Sequence, residues 1–325
     1  MAAGHFVTLG KTGLEVSRVC FGTWQLSPRF WGDVPAAEVA GAVRTAYDLG
    51  VNFFDTADAY GDGLAESVLG EALSGLPRDK VVIATKVFNH YNPDGTRFPD
   101  LSPAHVVERC EASLKRLRTD HIDLYLLHFY DQLTPLSEAA GVMENLKAQG
   151  KIRHYGVSNF QVEELRAALA AGNFAVLQPP YSLISPEAEQ ALFPLCLAHD
   201  VGVMVYSPMH KGLLTGKYKG DEAFTDFRKH HPDFQGERFR RLAEAVQGLA
   251  PLAARYGLTI YQLVLAATLT HPGIDAAVVG VKTGAQIREA VGALAKSIDR
   301  PDYFAVRQIL NPVQVKVKDA GGTVK

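Results

Sequence analysis

Four residues of this chain, Asp55, Tyr60, Lys86 and His128, carry side chains able to deliver a proton to the oxygen of a carbonyl. Reduction of a carbonyl by hydride leaves an alkoxide that must be protonated as it forms. A phenol, with a pKa of about 10, gives up its proton more readily beside a cation that favours the phenolate. Lys86 can supply that cation, and Asp55 can pair with Lys86 to hold it in place. His128 can hydrogen-bond the reacting oxygen and orient it.

These residues are far apart in sequence, so the elements around them must bring them together. Short apolar runs cover residues 19–22, 51–54, 81–84, 122–127, 154–157, 175–177, 202–206 and 276–279. Between them lie amphipathic stretches such as 103–117, with Val106, Val107, Cys110, Leu114 and Leu117 on one face, and 163–169. Gly50, Gly150 and Gly172 stand where such helices should stop. Eight β/α units predict a closed (β/α)8 TIM barrel, whose strand ends converge on one face. Polar residues recur at those ends: Asp55, Lys86 and His128 after the second to fourth runs, Ser158 and Asn159 after the fifth, then Gln178, Ser207 and Lys282.

Ahead of the first run, residues 6–9 and 14–16 flank Lys11-Thr12-Gly13, which predicts a β-hairpin plugging one end of the barrel, with glycine supplying a positive φ. The polar, aromatic segment 211–235 predicts a long loop after strand seven on the active-site face, and an extra helix is expected over 301–310. No linker interrupts residues 1–325, which read as a single domain whose tail, 316–325, is expected to fray.

The 325 residues are 47% apolar and 21% charged, with a net charge of -2, a balance that collects neither nucleic acid nor an anionic membrane. Residues 1–10 lack a basic stretch followed by an apolar one, and no apolar run reaches the roughly 20 residues that span a bilayer, so a cytoplasmic protein is expected. Cys20, Cys110 and Cys196 are odd in number and widely spaced, which predicts buried thiols rather than disulfides or a zinc cluster. No G-x-G-x-x-G follows the first run, residues 212–218 have the wrong glycine spacing for a phosphate loop, and H-E-x-x-H and G-x-S-x-G are missing. No metal is expected, and His230-His231 reads as a solvated pair. No feature of the sequence sets an oligomeric state.

The chain resembles the aldo-keto reductases over nearly its whole length, from Leu9-Gly10-Lys11-Thr12-Gly13 to Gly280-Val281-Lys282 and Gln286. The most specific segments are Phe54-Asp55-Thr56-Ala57-Asp58-Ala59-Tyr60-Gly61, Ala84-Thr85-Lys86, Tyr125-Leu126-Leu127-His128, Gly156-Val157-Ser158-Asn159-Phe160 and Tyr206-Ser207-Pro208. The resemblance implies a catalytic tetrad of Asp55, Tyr60, Lys86 and His128, and NADP(H) as cofactor, with NAD(H) the other candidate. It implies that Ser158, Asn159 and Gln178 hold the carboxamide, that Tyr206 stacks on the nicotinamide, and that Ser207, Pro208, Met209, Lys217 and Arg228 follow the phosphates and ribose. Gly280, Lys282, Gln286 and Glu289 would surround the adenosine end, while Gly22, Thr23 and Trp24 border both cofactor and substrate. Lys282 takes the place where members commonly hold the 2′-phosphate, which implies NADP(H) over NAD(H). Phe129-Tyr130-Asp131, Pro179, Met209-His210-Lys211 and Ala290 depart from the usual pattern.

The expected activity is NADP-dependent interconversion of an aldehyde or ketone and its alcohol, with Tyr60 as general acid and base. The substrate pocket expected from Trp24, Tyr60, Phe88, Asn89, His128, Phe129 and Tyr130, with His210 nearby, suits sugars, small polyols or aromatic aldehydes. Two other readings are open. Some members of the family are cofactor-sensing subunits that turn over slowly, and a lysine at a barrel-strand end, here Lys86, can form Schiff bases in aldolase-like chemistry.

Overall fold

Period-2 alternation explains how the barrel both fills its interior and presents polar groups at one mouth. The computed structural model describes residues 5–92, 94 and 96–321. Twelve strands are present among them: β1 (Phe6–Thr8), β2 (Glu15–Ser17), β3 (Val19–Gly22), β4 (Phe53–Asp55), β5 (Val82–Val87), β6 (Asn89–Tyr91), β7 (Arg97–Pro99), β8 (Ile122–Leu127), β9 (Ile152–Ser158), β10 (Val176–Gln178), β11 (Gly202–Tyr206) and β12 (Ala276–Gly280). The eight strands β3, β4, β5, β8, β9, β10, β11 and β12 form a closed parallel barrel in that order, β12 pairing back onto β3. All eight predicted runs are found, most of them shifted by one or two residues.

One buried cluster fills the barrel interior with Cys20, Phe53, Val82, Ala84, Leu124, Leu126, Val176, Met204, Ala276 and Val278. Their strand neighbours Phe21, Phe54, Ile83, Tyr125, Leu177, Val205 and Ala277 belong to the other cluster, beneath the helices. Continuing each strand in phase carries the inward direction to Gly22, Asp55, Lys86, Gln178, Tyr206 and Gly280, and through β8 and β9 to His128 and Ser158. The polar strand ends therefore face a common axis because they share a phase with the barrel's filling.

The N-terminal hairpin of β1 and β2 pairs antiparallel and closes the opposite mouth, with Leu9 and Val16 joining the interior cluster. Gly13 has φ 71°, and Gly10 passes so close to the chain that a Cβ there would lie 2.2 Å from the Gly202 nitrogen. Helix Pro103–Leu117 agrees with the sequence reading, and helix Val162–Ala171 contains the expected 163–169. Gly50 and Gly150 end helices with φ of 86° and 75°, whereas Gly172 is extended, its place fixed by crowding: a Cβ would meet that of Ala140 at 2.6 Å.

Three features add to or differ from expectation. An antiparallel hairpin, β6–β7, follows β5. Segment 211–235 is the expected long loop after the seventh barrel strand, irregular over 216–226 but carrying short 3-10 turns, Phe227–His230 and Pro232–Phe234 among them. The last helix, Arg300–Gly321, continues past 310 into the segment expected to fray, and residues 322–325 lie outside the described ones. The three cysteines are buried and unpaired. Among the described residues no single helix is long and apolar enough to cross a membrane.

Candidate active site

Lys86 stands at the centre of the strand-end mouth with no solvent exposure, and a buried ammonium is tolerated only where its charge and donors are fully met. Its Nζ donates to both carboxylate oxygens of Asp55 at 2.9 Å, to the Thr56 carbonyl at 2.7 Å and to the Tyr60 hydroxyl at 3.3 Å. Gln178 Nε2 donates to Asp55 Oδ2 at 2.7 Å, so the carboxylate is held from a strand on the far side of the barrel. Burial works against the lysine charge, but Asp55 and Tyr60 outweigh it and hold the pKa above the ordinary value. Lys86 is thus a fixed cation.

Tyr60 reaches this centre from the turn after β4, where Gly61 takes φ 61° and any Cβ would lie 2.5 Å from the Leu26 carbonyl oxygen. Burial pushes its phenol pKa above the ordinary value, and Lys86 pulls it back only in part. The sequence expectation of a cation-assisted phenol holds in direction for Lys86 alone; desolvation exceeds it, so Tyr60 rests as a protonated donor. His128 stands edge-on to Tyr60, ring centroids 5.9 Å apart. Burial first, then Lys86, drives its pKa well below the usual histidine range, so the ring is neutral.

A second set of groups lies beside the four. Ser158 donates to the Gln178 carbonyl at 2.8 Å, Asn159 Nδ2 donates to the His128 carbonyl at 2.9 Å, and Tyr206 donates to Asn159 Oδ1 at 2.8 Å. Asn159 and Ser207, at the ends of β9 and β11 on either side of β10, have φ of 62° and 59°, strained values for residues other than glycine. Here Ser158, Asn159 and Gln178 bond to one another, and Gln178 alone to Asp55. Thr23 donates through its hydroxyl and amide to the Asp55 carbonyl, both at 3.1 Å. Gly22 and Gly280 are register partners, and a Cβ on Gly280 would lie 1.7 Å from Gln25 Nε2. Gln25 is buried with an unpartnered Oε1 and was not among the residues singled out from sequence.

Farther out, cations converge on Trp31, a residue the sequence reading also passed over. Arg228 lies 5.3 Å and Lys282 Nζ 5.1 Å from its ring centroid, and Lys217 stacks on Tyr218 at 4.8 Å. Burial, then the nearby Arg228 and Lys217, lower the Lys282 pKa, and Asp226 only partly offsets them. Asp226 is bonded to Arg228 by two contacts, at 2.9 and 2.5 Å. Trp31 packs with Trp24 and Phe227 at 5.4 and 5.0 Å. Met209, next to Pro208 in sequence, is buried in the core beneath the helices.

The outer predicted residues divide. Gln286 Oε1 accepts from the Lys282 amide at 2.7 Å, but Glu289 is engaged by Thr259 Oγ1 at 3.0 Å on the exposed surface. Phe129 stacks between His128 and Phe88, 5.1 Å from each. Tyr130 instead packs on buried Phe160 at 5.7 Å. Asn89 begins β6, its carbonyl within hydrogen-bonding distance of His105. His210 is tied to Asp233 at 2.6 Å, and His231 lies half-buried beside it, so His231 is not the solvated residue the sequence suggested.

Residues 18–311 match the model of the aldo/keto reductase family. The chain belongs to that family. Among curated relatives, aldo-keto reductase YhdN of Bacillus subtilis (strain 168) is 36% identical over 318 residues, covering 95% of this chain and 96% of its own. The NADH-specific methylglyoxal reductase of Escherichia coli (strain K12) is 32% identical, covering 95% and 99%. A probable voltage-gated potassium channel subunit beta of Arabidopsis thaliana is also 32% identical, covering 89% and 91%. Of solved structures, the glycerol dehydrogenase AKR11B4 of Gluconobacter oxydans superposes with a TM-score of 0.89 at 29% identity, covering 100% and 98%. A Klebsiella pneumoniae aldo-keto reductase in complex with NADPH gives 0.76 at 29%, covering 95% and 96%.

Within this aldo/keto reductase the Tyr60 environment makes a directional claim. Lys86→Met removes the one nearby cation and leaves Asp55 buried beside the phenol, so the pH limb that reports Tyr60 should move upward. A pH–rate profile of the variant checks this; an active variant with an unmoved limb would remove Lys86 from the electrostatic role.

Proposed function

We propose that this chain interconverts a small aldehyde or ketone and its alcohol with NADP(H), using Tyr60 as general acid in reduction and general base in oxidation. The observation that carries the reading is Lys86 Nζ, bonded to both Asp55 oxygens and 3.3 Å from the Tyr60 hydroxyl. The cofactor, when bound, supplies or accepts the hydride. Everything else is done by the chain. Tyr60 gives its proton to the substrate oxygen, and the phenolate left behind faces a lysine whose charge Asp55 secures. His128, neutral, can share in positioning that oxygen without competing for the proton. Lys86 and Gln178 between them donate to both Asp55 oxygens and fix the carboxylate in place.

The residues present fit a dinucleotide carrying phosphates. Lys217, Arg228 and Lys282 form a cationic group with Asp226 as its close acid, and Gln25 offers a buried amide oxygen with no partner against Gly280. Ser158, Asn159, Gln178 and Tyr206 would hold the nicotinamide end. The glycerol dehydrogenase and methylglyoxal reductase among the relatives act on small oxygenated compounds, and Phe88, Phe129 and Trp24 suit the same class here.

A purely cofactor-sensing role, in a chain that also resembles a probable channel beta subunit, has little use for a fully assembled proton donor. Slow single turnover with retained cofactor would favour it. A Schiff base at Lys86 is disfavoured, since the nitrogen is committed to four acceptors and held as a cation.

Tyr60→Phe should keep the fold and cofactor affinity and lower turnover by about 10²–10⁴, the range for a lost general acid. A screen of aldehydes, ketones and polyols in both directions identifies the substrate, and near-normal turnover of the variant on it would refute the assignment. Lys282 should set the cofactor preference: hydrogen bonds to a charged phosphate are worth about 1.5–3 kcal/mol each, or roughly 10–150-fold in affinity. Fluorescence titration should show NADPH binding more tightly than NADH, with the margin lost in Lys282→Ala. Equal affinities in the unmodified protein, or a margin the variant leaves untouched, would show that Lys282 does not read the 2′-phosphate.

A further inference from the structure

The β6–β7 hairpin stands beside Phe88 and takes no part in the chemistry above. It places His90 Nδ1 3.5 Å from Asp100 Oδ2, and the first turn of helix Pro103–Leu117 places His105 Nδ1 3.9 Å from the same oxygen. The two histidine rings lie 5.2 Å apart, and one ligand atom from each of the three residues falls within 4.8 Å of the others.

His105 decides what this cluster can do. Its Nε2 lies 3.1 Å from the Asn89 carbonyl oxygen, which can only accept, so Nε2 carries the hydrogen and Nδ1 presents a lone pair. The residue is 5% exposed, and that buried Nδ1 has no hydrogen-bond partner. Asp100 Oδ1 is occupied by the Ser102 amide at 2.8 Å, which leaves Oδ2 as the acceptor facing the ring. Two acceptors therefore confront each other without a proton between them, and a cation satisfies both. A carbonyl behind a ligating imidazole fixes its tautomer and orientation, as the Asn89 oxygen does here. His90 is stacked on its cross-strand partner Phe98 at 4.8 Å. The neighbouring cation, Arg109, donates to Asp58 Oδ2 at 2.8 Å, which offsets its charge.

We propose that His90, Asp100 and His105 bind a divalent transition-metal ion of the zinc class, a clip that fastens the hairpin to the helix and leaves its remaining position to solvent. Two imidazoles and one carboxylate suit zinc-like ions, whereas magnesium and calcium prefer all-oxygen sets. Tetrahedral zinc with bonds of about 2.0–2.2 Å sets its ligand atoms about 3.3 Å apart. The separations seen here, 3.5 and 3.9 Å to Asp100 and all three within 4.8 Å, would close to that as the hairpin draws toward the helix. The other cluster of this kind, His210, His231 and Asp233, is a different case, because Arg238 and His210 already occupy the Asp233 oxygens.

The test uses the full untagged chain, stripped with a chelator and titrated with Zn²⁺ against a chromophoric competitor, then with Co²⁺ while its visible absorption is followed. The result expected is one ion per chain and intense four-coordinate cobalt bands. His90→Ala should weaken binding by about tenfold or more, since even outer-shell partners contribute that much. His90 is partly exposed, so the variant should fold, as circular dichroism would show. His231→Ala should bind as the unmodified chain does. Lack of stoichiometric binding, binding that His90→Ala leaves intact, or binding that His231→Ala abolishes would each overturn the proposal.

Discussion

The ammonium of Lys86 has no access to water, and nearly everything at the barrel mouth can be traced to the need to keep it charged. An unpaired buried charge is costly enough that the group would sooner lose its proton. Asp55 prevents this from the adjacent strand, the Thr56 carbonyl adds an acceptor, and Gln178 anchors the carboxylate from across the barrel. The charge kept in this way acts on Tyr60, to which Lys86 donates, and on His128. The phenol is half-buried beside it, and desolvation keeps its resting pKa high even next to a cation. That combination suits a donor that must hold its proton until an alkoxide forms and then be relieved by a neighbouring charge.

Much of this was legible in the sequence because barrel strands obey a period of two. Once 51–54, 81–84 and 122–127 are read as parallel strands, Asp55, Lys86 and His128 must lie at neighbouring ends, and their inward phase follows from the small and apolar residues that fill the interior. Tyr60 was legible because a short loop after Asp55 can reach only over that mouth. The hairpin plug announced itself through Gly10 and Gly13, where the chain needs a close approach and a positive φ.

What escaped the reading depends on contacts between segments with no shared period. Trp31 ends a helix of only four residues, too short to show a period, and its role emerges only when Arg228 and Lys282 arrive from distant loops. Gln25 looks like an ordinary polar residue until Gly280 is brought against it. The β6–β7 hairpin lies in a stretch rich in Asn, Pro, Asp and Gly that reads as loop, so His90, Asp100 and His105, spread over two elements, form no recognisable metal spacing. The contacts of Tyr130 with Phe160, of Glu289 with Thr259 and of His210 with Asp233 likewise join segments that share no period.

The central claim is that Asp55 and Lys86 act on Tyr60 as one unit. A double-mutant cycle on kcat/KM, with Asp55→Asn, Lys86→Met and the pair together, tests it most directly. If the two are one device, each replacement alone disables it, and the double variant should be no slower than the slower single variant within about twofold. Additive losses, with the double variant slower by the product of the two single effects, would show that Asp55 and Lys86 contribute separately and would contradict the account.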